Sequence, residues 1–470
     1  MATYVMKFGG TSVGSVEAIL SAAKIVQNYS DLGNQMVVVV SAMRGVTDDL
    51  IHSAEAAAAG DETTYKSLID KLRDQHHQVL AELQLKEQER VQLLMVIDQH
   101  IDELNSYCRS IHVLGEVTLR GMDTITSLGE RLNARIVSAA LRTLGMNSQA
   151  VNATKLIITD ETFQNAIPLM DITRQQLGER LIPLLKSGIV PVVTGFIGAT
   201  KNGIITTLGR GGSDYTAAIL GAGIDADAVW TWTDVDGVMT ADPRIVSGAQ
   251  VIPALSFNEI SELAYFGAKV LHPKTIRPII ERDIPLWVKN TFNPSCPGTK
   301  ISKSPGATKG NVTAISTVSN LSMITVEGRG MLGVPGIAAR TFAAVARTGA
   351  SVLMISQASS EQSISFVIPA TSTLEVIQSI EEEMSRELER RDIDRIWAQD
   401  SVTILTVVGA SIRTTPGVAA RIFSALGGAQ INVIAIAQGS SEYSISLVVS
   451  EKDANEAMRR IHDEVILNEA

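Results

Sequence analysis

Hydrophobic and polar residues alternate over the first 300 positions in blocks that predict strands followed by helices. The segments 4–8 and 37–40 are short and apolar, and between them the segment 16–29 carries apolar residues at helical spacing. Further buried strands are predicted at 189–196, 228–233 and 284–288. Buried strands that alternate with amphipathic helices are typical of a mostly parallel α/β sheet.

Two segments interrupt this alternation. Residues 61–112 are charged, lack glycine and have a helical pattern, so we predict a helical excursion with a structural role beside the sheet. Residues 293–306 are rich in proline, glycine and serine, which favour turns and loops. We therefore expect a first domain over residues 1–300.

The last third of the chain contains an internal repeat. The segments PGIAARTF at 335–342 and PGVAARIF at 416–423 share six of eight residues. The segments QASSEQSIS at 357–365 and QGSSEYSIS at 438–446 share seven of nine. Both pairs are 81 positions apart, so the two copies are in register, and each has the pattern of a small βαββα module.

One predicted strand lies outside the two copies. It spans 313–318 and precedes the first copy, whereas the second copy lacks a closing strand after its last helix. We therefore hypothesise that the second module uses this strand. In that case the first module, 320–398, is inserted within a second module formed by 311–319 plus 399–470.

Composition narrows the classes of function. The 470 residues include 40 lysines and arginines and 50 aspartates and glutamates, which gives a formal net charge of −10. Sites for nucleic acid or anionic membrane are usually basic, so we expect neither partner. Two cysteines, Cys108 and Cys296, cannot form a disulfide framework, which favours a reducing compartment. No apolar run has the length of a membrane span. Lys7 interrupts the first apolar run, which disfavours a signal peptide. We expect a cytoplasmic protein.

Three glycine-containing segments lie at predicted strand-to-helix turns, where main-chain N–H groups can bind an anion. The segment 7–12 (KFGGTS) is by itself a weak signal, since an ordinary glycine turn has the same pattern. The segment 209–214 (GRGGSD) favours an anion site. Glycine lowers the stability of ordered structure, so three glycines around an arginine would be costly if the segment were only a turn. The segment 233–237 (TDVDG) has an ordinary Asp-Gly turn as its alternative.

Several common classes of site are not favoured. The sequence contains neither a Walker A motif nor a GxGxxG segment with an acidic residue about 20 positions further on, which disfavours P-loop and Rossmann nucleotide sites. It has no histidine, cysteine and aspartate set at metal-ligand spacing. Glycine N–H groups, cations and scattered carboxylates remain, and these are the groups that phosphoryl transfer requires.

Five motifs in order along the chain resemble aspartate kinase: KFGGTSV at 7–13, SLGERL at 127–132, TLGRGGSDYTA at 207–217, TDVDGV at 233–238 and FGAKVLHP at 266–273. The resemblance implies an amino-acid-kinase-like parallel-sheet α/β domain followed by two βαββαβ, ferredoxin-like ACT modules. The internal repeat fits the paired modules. We expect a monofunctional kinase without the homoserine dehydrogenase that some relatives carry.

The resemblance implies the transfer of the ATP γ-phosphoryl group to the β-carboxylate of L-aspartate, which begins the biosynthesis of lysine, threonine and methionine. A carboxyl group with a pKa of about 3.9 is ionised at neutral pH, so the reaction needs no general base. The main difficulty is to bring two anions together, and lysines and N–H donors reduce that repulsion.

By resemblance, Lys7 and Lys269 act on the transferring phosphoryl group and Asp214 orients both lysines. Arg210 would bind the α-carboxylate of aspartate and Glu130 its α-ammonium. The full set of expected substrate residues is Ser41, Thr47, Glu130, Arg210, Gly211, Gly212 and Ser213. From the residues alone, each of the two carboxylates has an alternative role. Asp214 could be the N-cap of a helix. Glu130 could be a surface carboxylate paired with Arg131 or Arg135.

The expected ATP site comprises Lys7, Gly9, Gly10, Thr233, Asp234, Met239, Arg244, Lys269 and Val270. Family members commonly have tyrosine at the position of Met239, so this substitution puts the affinity for ATP in question. A thioether can still pack against a ring. Magnesium is expected with the nucleotide, held mainly by phosphates and water, and no protein ligand is assigned to it.

The resemblance also implies feedback regulation by an amino acid. The repeated Gln-x-Ser-Ser-Glu segment lies near the Pro-Gly helix start in both copies, although an ordinary polar turn is its alternative. Its pattern favours L-threonine as the effector, with lysine second. The candidate effector residues are Gln357, Gln438, Ser351 and Asn432, and the modules are expected to form at least a homodimer.

Two other functions stay open at this point. One is another amino-acid or carbamate kinase of the same fold, which the pair of Glu130 and Arg210 disfavours. The other is a non-catalytic amino-acid sensor that uses the modules alone, which the presence of Lys7, Asp214 and Lys269 disfavours.

Overall fold

The computed structural model describes residues 1–267, 271, 273–304, 312–331, 334–357, 362–410, 412–438 and 442–467. The chain forms two compact units. Unit 1 comprises Met1–Val238, Val251–Phe257 and Leu271–Pro305. Unit 2 comprises Met239–Gln250, Asn258–Val270 and Gly306–Ala470.

The strands up to residue 302 are β1 (Thr3–Phe8), β2 (Gln35–Val40), β3 (Ser148–Val151), β4 (Ile158–Thr159), β5 (Val190–Thr194), β6 (Ile197–Thr200), β7 (Ile205–Thr207), β8 (Ala228–Thr233), β9 (Ala254–Ser256), β10 (Leu286–Asn290) and β11 (Thr299–Ser302). The helices are α1 (Val16–Ser30), α2 (Val46–Ala58), α3 (Glu62–Glu82), α4 (Glu87–Leu114), α5 (Leu119–Thr143), α6 (Met170–Arg180), α7 (Ile182–Lys186), α8 (Gly212–Gly223), α9 (Phe257–Tyr265) and α10 (Pro273–Ile280).

In the described part of unit 1, the main sheet has the strand order β3-β5-β2-β1-β8-β10-β11-β9. The β10–β11 pair is antiparallel, and the other pairs are parallel. The predicted parallel α/β domain is therefore confirmed. The central strands β1 and β2 consist mainly of buried residues, as expected for a sheet covered by helices on both faces.

A second, smaller sheet of unit 1 has the order β4-β6-β7. Strand β7 ends at Thr207, directly before the glycine-rich segment 209–212 and helix α8. The small sheet therefore delivers the glycine-rich turn to the start of a buried helix.

The predicted helical excursion at 61–112 consists of two helices, α3 and α4, instead of one continuous helix. The side chain of Asp61 caps α3 by accepting a hydrogen bond from the main-chain N–H of Thr64 at 3.0 Å. Buried leucines and isoleucines of α3 and α4 then join the main hydrophobic core of unit 1, including Leu72 and Ile101. This packing supports the predicted structural role.

The later strands are β12 (Ala314–Glu327), β13 (Met354–Gln357), β14 (Ser363–Pro369), β15 (Arg395–Val408), β16 (Ala435–Gln438) and β17 (Ser444–Ser450). The later helices are α11 (Ile337–Arg347), α12 (Thr373–Glu383), α13 (Ser385–Arg390), α14 (Val418–Gly428) and α15 (Ala454–Val465). The strands form one sheet in the order β13-β14-β12-β15-β17-β16 within the described residues.

The long strands β12 and β15 serve both repeats. The first half of β12, from Ala314 to Val318, pairs with the half of β15 that continues to β17, whereas the second half of β12 pairs with the start of β15 and with β14. The pairing shifts register near Asn320, where the backbone φ is 61°, and Ser401 has a φ of 54° at the equivalent position of the second repeat. This is the pairing that the hypothesis of an inserted first module requires.

Unit 2 takes in two segments from the range 1–300 in which we expect the first domain. In the segment Met239–Gln250, the hydroxyl of Thr240 and the Nε2 atom of His462 on α15 form a hydrogen bond of 2.9 Å. Ala241 and Val246 pack in one apolar cluster with residues of α14 and α15. Burial of these side chains explains why the segment belongs to unit 2.

The described residues lack two kinds of feature. No helix in them combines the length and the apolar character that crossing a bilayer requires. The same residues contain no group of three or more histidine, cysteine, aspartate or glutamate side chains that could hold a metal ion.

Candidate active site

A cavity of about 580 Å³ lies in unit 1 where strands β1, β2 and β5 end and helix α8 begins. Ligand sites of open α/β sheets commonly occupy this position, outside the carboxyl ends of the strands. Nine residues expected to act on the substrates line it: Lys7, Ser41, Thr47, Glu130, Arg210, Gly211, Gly212, Ser213 and Asp214. These positions span more than 200 residues of sequence, and the fold brings them together.

Lys7 and Asp214 form a buried ion pair at the edge of this cavity. The Lys7 Nζ atom lies 2.9 Å from an Asp214 carboxylate oxygen, and Lys7 is only 8% exposed. The hydroxyl of Thr231 on the neighbouring strand β8 donates to the same carboxylate at 3.3 Å. The cap position of α8 is Gly211, so the alternative reading of Asp214 as the N-cap was wrong.

The glycines of the turn before α8 are required by its backbone. Gly209 and Gly211 have φ values of 79° and 72°, in the left-handed region that glycine adopts without strain. A Cβ atom on Gly212 would lie 2.6 Å from the Phe196 ring. Between these glycines the Arg210 side chain is exposed, and among the described residues its guanidinium group has no hydrogen bond or ion pair.

Gly10 allows a similar close approach at the end of β1. A Cβ atom at this position would lie 3.1 Å from the carbonyl oxygen of Ala42. The preceding Gly9 donates its N–H to the carbonyl oxygen of Trp232 at 3.2 Å. The backbone between β1 and α1 is therefore held close to the segment that follows β2.

Glu130 is a buried carboxylate on the inner face of α5. It is 3% exposed, and its Oε1 atom accepts a hydrogen bond from the main-chain N–H of Ala42 at 3.2 Å. Its Oε2 atom has no hydrogen-bond partner among the residues that the structure describes. Burial raises the pKa of Glu130 to about 8. The alternative of a surface carboxylate paired with Arg131 or Arg135 was therefore wrong.

Sequence reasoning missed several residues that line the cavity, among them Asp123, Gln164 and Phe196. Asp123 is 1% exposed and precedes Glu130 by two turns of α5, so its helical spacing from Glu130 was an available signal. Gln164 and Phe196 have φ values of 65° and 68°, which are uncommon for residues other than glycine. Nothing in the sequence alone indicated these backbone conformations.

Strand β8 ends at one expected nucleotide residue, Thr233, and the next residue, Asp234, is another. The Thr233 hydroxyl donates to the Asp234 carboxylate at 3.1 Å. The carboxylate of Asp236 accepts hydrogen bonds from the side-chain amides of Asn290 and Asn293, at 2.7 and 3.1 Å. The Asp-Gly turn is thus tied to the segment that follows β10.

Four expected nucleotide residues remain: Met239, Arg244, Lys269 and Val270. Met239 and Arg244 belong to unit 2, and the Arg244 guanidinium group binds the Asp242 carboxylate at 2.6 Å. The hydrogen bonds that the exposed Arg244 guanidinium group donates to the Asp242 carboxylate raise the pKa of Arg244. Lys269 and Val270 lie outside the described residues.

The expected effector residues lie in unit 2. Gln357 ends strand β13 and Gln438 ends strand β16, and both are exposed. In the first repeat, Gln357 lines a cavity of about 370 Å³ together with Pro335 and Gly336. Ser351 and Asn432 are exposed and precede β13 and β16, and Ser351 is not among the residues that line this cavity. The Ser-Ser-Glu segments fall largely outside the described residues.

Comparisons with known proteins agree with this architecture. Residues 2–290 match the family described as "Amino acid kinase family". Residues 324–384 and 405–465 each match the family described as "ACT domain". The two ACT matches correspond to the two copies of the internal repeat.

Similar proteins are aspartokinases. The chain is 38% identical to a chloroplastic bifunctional aspartokinase/homoserine dehydrogenase of Daucus carota, over 98% of this chain and 50% of that protein. It thus spans about half the length of the curated relatives that it matches first. It is 34% identical to Aspartokinase 2, chloroplastic, of Arabidopsis thaliana, over 98% of this chain and 84% of that protein.

Solved structures show the same fold. E. coli aspartokinase III in complex with aspartate and ADP (R-state) is 28% identical, with a TM-score of 0.82 over 98% of this chain and 99% of that one. The same protein in complex with lysine and aspartate (T-state) gives a TM-score of 0.81 over 99% of each chain. From its kinase fold, its paired ACT modules and its identity to Aspartokinase 2, the chain belongs to the aspartokinases of the amino acid kinase family.

Proposed function

We propose that the protein transfers the γ-phosphoryl group of ATP to the β-carboxylate of L-aspartate, which forms 4-phospho-L-aspartate and ADP. The observation that carries this proposal is the single cavity lined by Lys7, Glu130, Arg210 and Asp214. It offers a buried lysine for a phosphoryl group, an unpaired carboxylate oxygen for an ammonium group, and an exposed guanidinium group for a carboxylate. Aspartate carries the last two groups on one carbon atom.

Substrate binding would use the two groups that lack partners in the described structure. The Arg210 guanidinium group can bind the α-carboxylate through two parallel hydrogen bonds. The free Oε2 atom of Glu130 can accept a hydrogen bond from the α-ammonium group. Because a bound cation favours the ionised carboxylate, aspartate would lower the pKa of Glu130 from its raised value. Two fixed points on the α-carbon then direct the β-carboxylate into the cavity.

The chemical step needs charge neutralisation more than proton transfer. An oxygen of the ionised β-carboxylate attacks the γ-phosphorus, and the bond from this phosphorus to the β–γ bridging oxygen breaks, so that ADP leaves. Lys7 offsets the negative charge on the transferring group, and Asp214 holds the ammonium group of Lys7 in place at 2.9 Å. We propose Lys269 as the second cation, by its family motif.

For the nucleotide we propose the glycine turn at Gly9 and Gly10 together with Thr233, Asp234, Met239, Arg244 and Val270. Magnesium is proposed to accompany ATP. Phosphate oxygens and water would hold this ion, because Mg²⁺ tends to keep several waters. The E. coli relative in complex with ADP supports an adenine nucleotide as co-substrate.

We further propose that L-threonine inhibits the enzyme through the ACT modules, with lysine as the second candidate. Support comes from the equivalent positions of Gln357 and Gln438 and from the cavity beside Pro335 and Gly336. The E. coli relative in complex with lysine and aspartate is described as T-state, which supports an amino acid as the effector. The exposed Ile355 and Ile436 on the edge strands, 50% and 44% exposed, favour a homodimer that covers them.

Trapping of the acyl phosphate tests the catalytic proposal. The protein is incubated with ATP, magnesium and L-aspartate in the presence of hydroxylamine, and aspartyl hydroxamate is measured. We expect hydroxamate that depends on both substrates. Product from another amino acid or from carbamate, but not from aspartate, would identify a different kinase of this fold. Threonine binding without any product would identify a sensor.

A further inference from the structure

Asp123 is a buried carboxylate of the substrate cavity to which none of the proposed steps gives a role. It is 1% exposed on α5 and lines the same cavity as Glu130. It accepts hydrogen bonds from the main-chain N–H of Gln164 at 3.0 and 3.1 Å, from the main-chain N–H of Thr207 at 3.0 Å, and from the Thr207 hydroxyl at 2.7 Å. Each oxygen of the carboxylate therefore receives donors from two separate segments.

The two segments are the loop before α6 and the turn that carries Arg210. Thr207 ends β7, two residues before Gly209. The N–H of Ala166 in the loop donates to the carbonyl oxygen of Thr207 at 2.9 Å. A Cβ atom on Gly209 would lie 3.0 Å from the carbonyl oxygen of Gln164. The loop and the turn thus lie against each other, and Asp123 is hydrogen-bonded to both.

This arrangement has an energetic cost. Burial raises the pKa of Asp123, because an ionised carboxylate loses hydration in the interior. Gln164 adopts a φ of 65°, a left-handed conformation that is strained for a residue other than glycine. A cost of this kind persists only where surrounding contacts impose the conformation, and such conformations cluster at functional sites. Here the hydrogen bonds from the Gln164 N–H to Asp123 impose it.

We propose that Asp123 is a positioning residue for aspartate recognition. Its carboxylate holds Thr207 and Gln164 together, so that the turn Gly209–Gly211 presents the Arg210 guanidinium group to the cavity. Asp123 acts through Arg210 and does not itself contact the substrate. The inference rests on the proposed function, because it assumes that Arg210 binds the α-carboxylate of aspartate.

The test compares Asp123→Asn with the wild-type protein in the ATP-dependent hydroxamate assay. An asparagine retains one acceptor oxygen and directs an NH₂ group at main-chain donors, so the turn is no longer held. Leaving a buried donor unpaired costs about 1–3 kcal/mol, which corresponds to about 5- to 150-fold weaker binding of aspartate. We expect the KM for aspartate to rise within this range, while the KM for ATP changes less than about twofold.

Three further variants separate positioning from a general loss of stability. Asp160→Asn is the matched control, since Asp160 holds the same loop through Thr162 and Ile167 but does not contact Thr207. We expect it to change the KM for aspartate less than about threefold. Gln164→Gly in the Asp123→Asn background should recover part of the affinity, because glycine adopts a φ of 65° without strain. Thr207→Val, which loses one donor, should act in the same direction as Asp123→Asn and more weakly.

Each outcome bears on the inference. Equal increases in both KM values, or a loss of stability with an unchanged KM for aspartate, would show that Asp123 is merely structural. If Asp123→Asn does not fold, Thr207→Val carries the same comparison, and an unchanged KM for aspartate in Thr207→Val would overturn the inference. Failure of the proposed function differs from these results, because the wild-type protein would then form no aspartyl hydroxamate.

Discussion

The substrate cavity of unit 1 and the repeated strand ends of unit 2 are built in opposite ways. Two charged groups of the cavity are buried, with Lys7 8% exposed and Glu130 3% exposed, and the fold positions them before any ligand binds. Gln357 and Gln438 end the two edge strands of the repeat sheet and are exposed to solvent. Under the proposed function, chemistry would depend on side chains fixed within one chain, whereas regulation would depend on groups that another molecule still has to cover.

The strongest test of this comparison is Lys7→Ala. Removing a preorganised cation from a transferring phosphoryl group should lower kcat by about 100- to 1,000-fold, with a much smaller change in the KM for aspartate. Steady-state kinetics with both substrates varied would measure it. Lys289→Met is the matched control, because Lys289 is also 8% exposed but donates to the carbonyl oxygen of Pro297 at 3.0 Å. It should lower stability and leave kcat within about twofold. Equal losses of kcat in both variants would contradict the assignment of Lys7.

The outcome of sequence reasoning differs between elements of unit 1. Strand β8 has the predicted bounds at both ends, because a run of buried apolar and aromatic residues followed by Asp-Gly marks a strand and its turn. The break between α3 and α4 was missed, because residues 83–86 contain neither glycine nor proline. Asp123 was missed because its donors are 41 and 84 positions away, a relation that only the tertiary fold creates.

Glu130→Gln tests whether buried charge in the cavity serves binding at the expense of stability. The glutamine cannot ionise to pair with the α-ammonium group, so the KM for aspartate should rise by about 10- to 100-fold at pH 8. The folded pKa of Glu130 is about 8 and its unfolded pKa is about 4.3, so the folded state keeps the proton between these values. Wild-type stability therefore falls as pH rises from about 4 to about 8. Glu130→Gln should remove this part of the fall and raise the Tm at pH 8.

The same titration predicts the pH dependence of substrate binding. Below about pH 8 the free enzyme must lose the Glu130 proton before it pairs with the ammonium group, so the wild-type KM for aspartate should decrease as pH rises towards 8. The variant should lack this dependence. A KM for aspartate that is independent of pH in the wild-type protein between pH 6 and pH 8 would count against Glu130 as the ammonium ligand.

Arg210→Lys compares an exposed charged group of the cavity with the buried ones, because Arg210 is exposed whereas Lys7 and Glu130 are buried. An ammonium group keeps the positive charge but cannot form two parallel hydrogen bonds with a carboxylate. We expect the KM for aspartate to rise by about tenfold, with kcat and the KM for ATP nearly unchanged. Initial rates at varied aspartate would show it. Weaker ATP binding with unchanged aspartate binding would assign Arg210 to the nucleotide instead.

We expect the smallest effects from substitution of Gln357 and Gln438 in unit 2, since each would give threonine only single neutral hydrogen bonds at an exposed strand end. Gln357→Ala and Gln438→Ala should each raise the threonine concentration for half inhibition by about three- to tenfold and leave the uninhibited rate unchanged. Gln357→Ala should have the larger effect, because Gln357 lines the cavity beside Pro335. Gln378→Ala is the control, an exposed glutamine of α12 whose amide binds Glu382. Inhibition requires threonine to bind one arrangement of the protein more tightly than another, so a lost contact must weaken inhibition without changing the chemistry. Inhibition by lysine alone, or full threonine sensitivity in both variants, would show that these strand ends are ordinary polar turns.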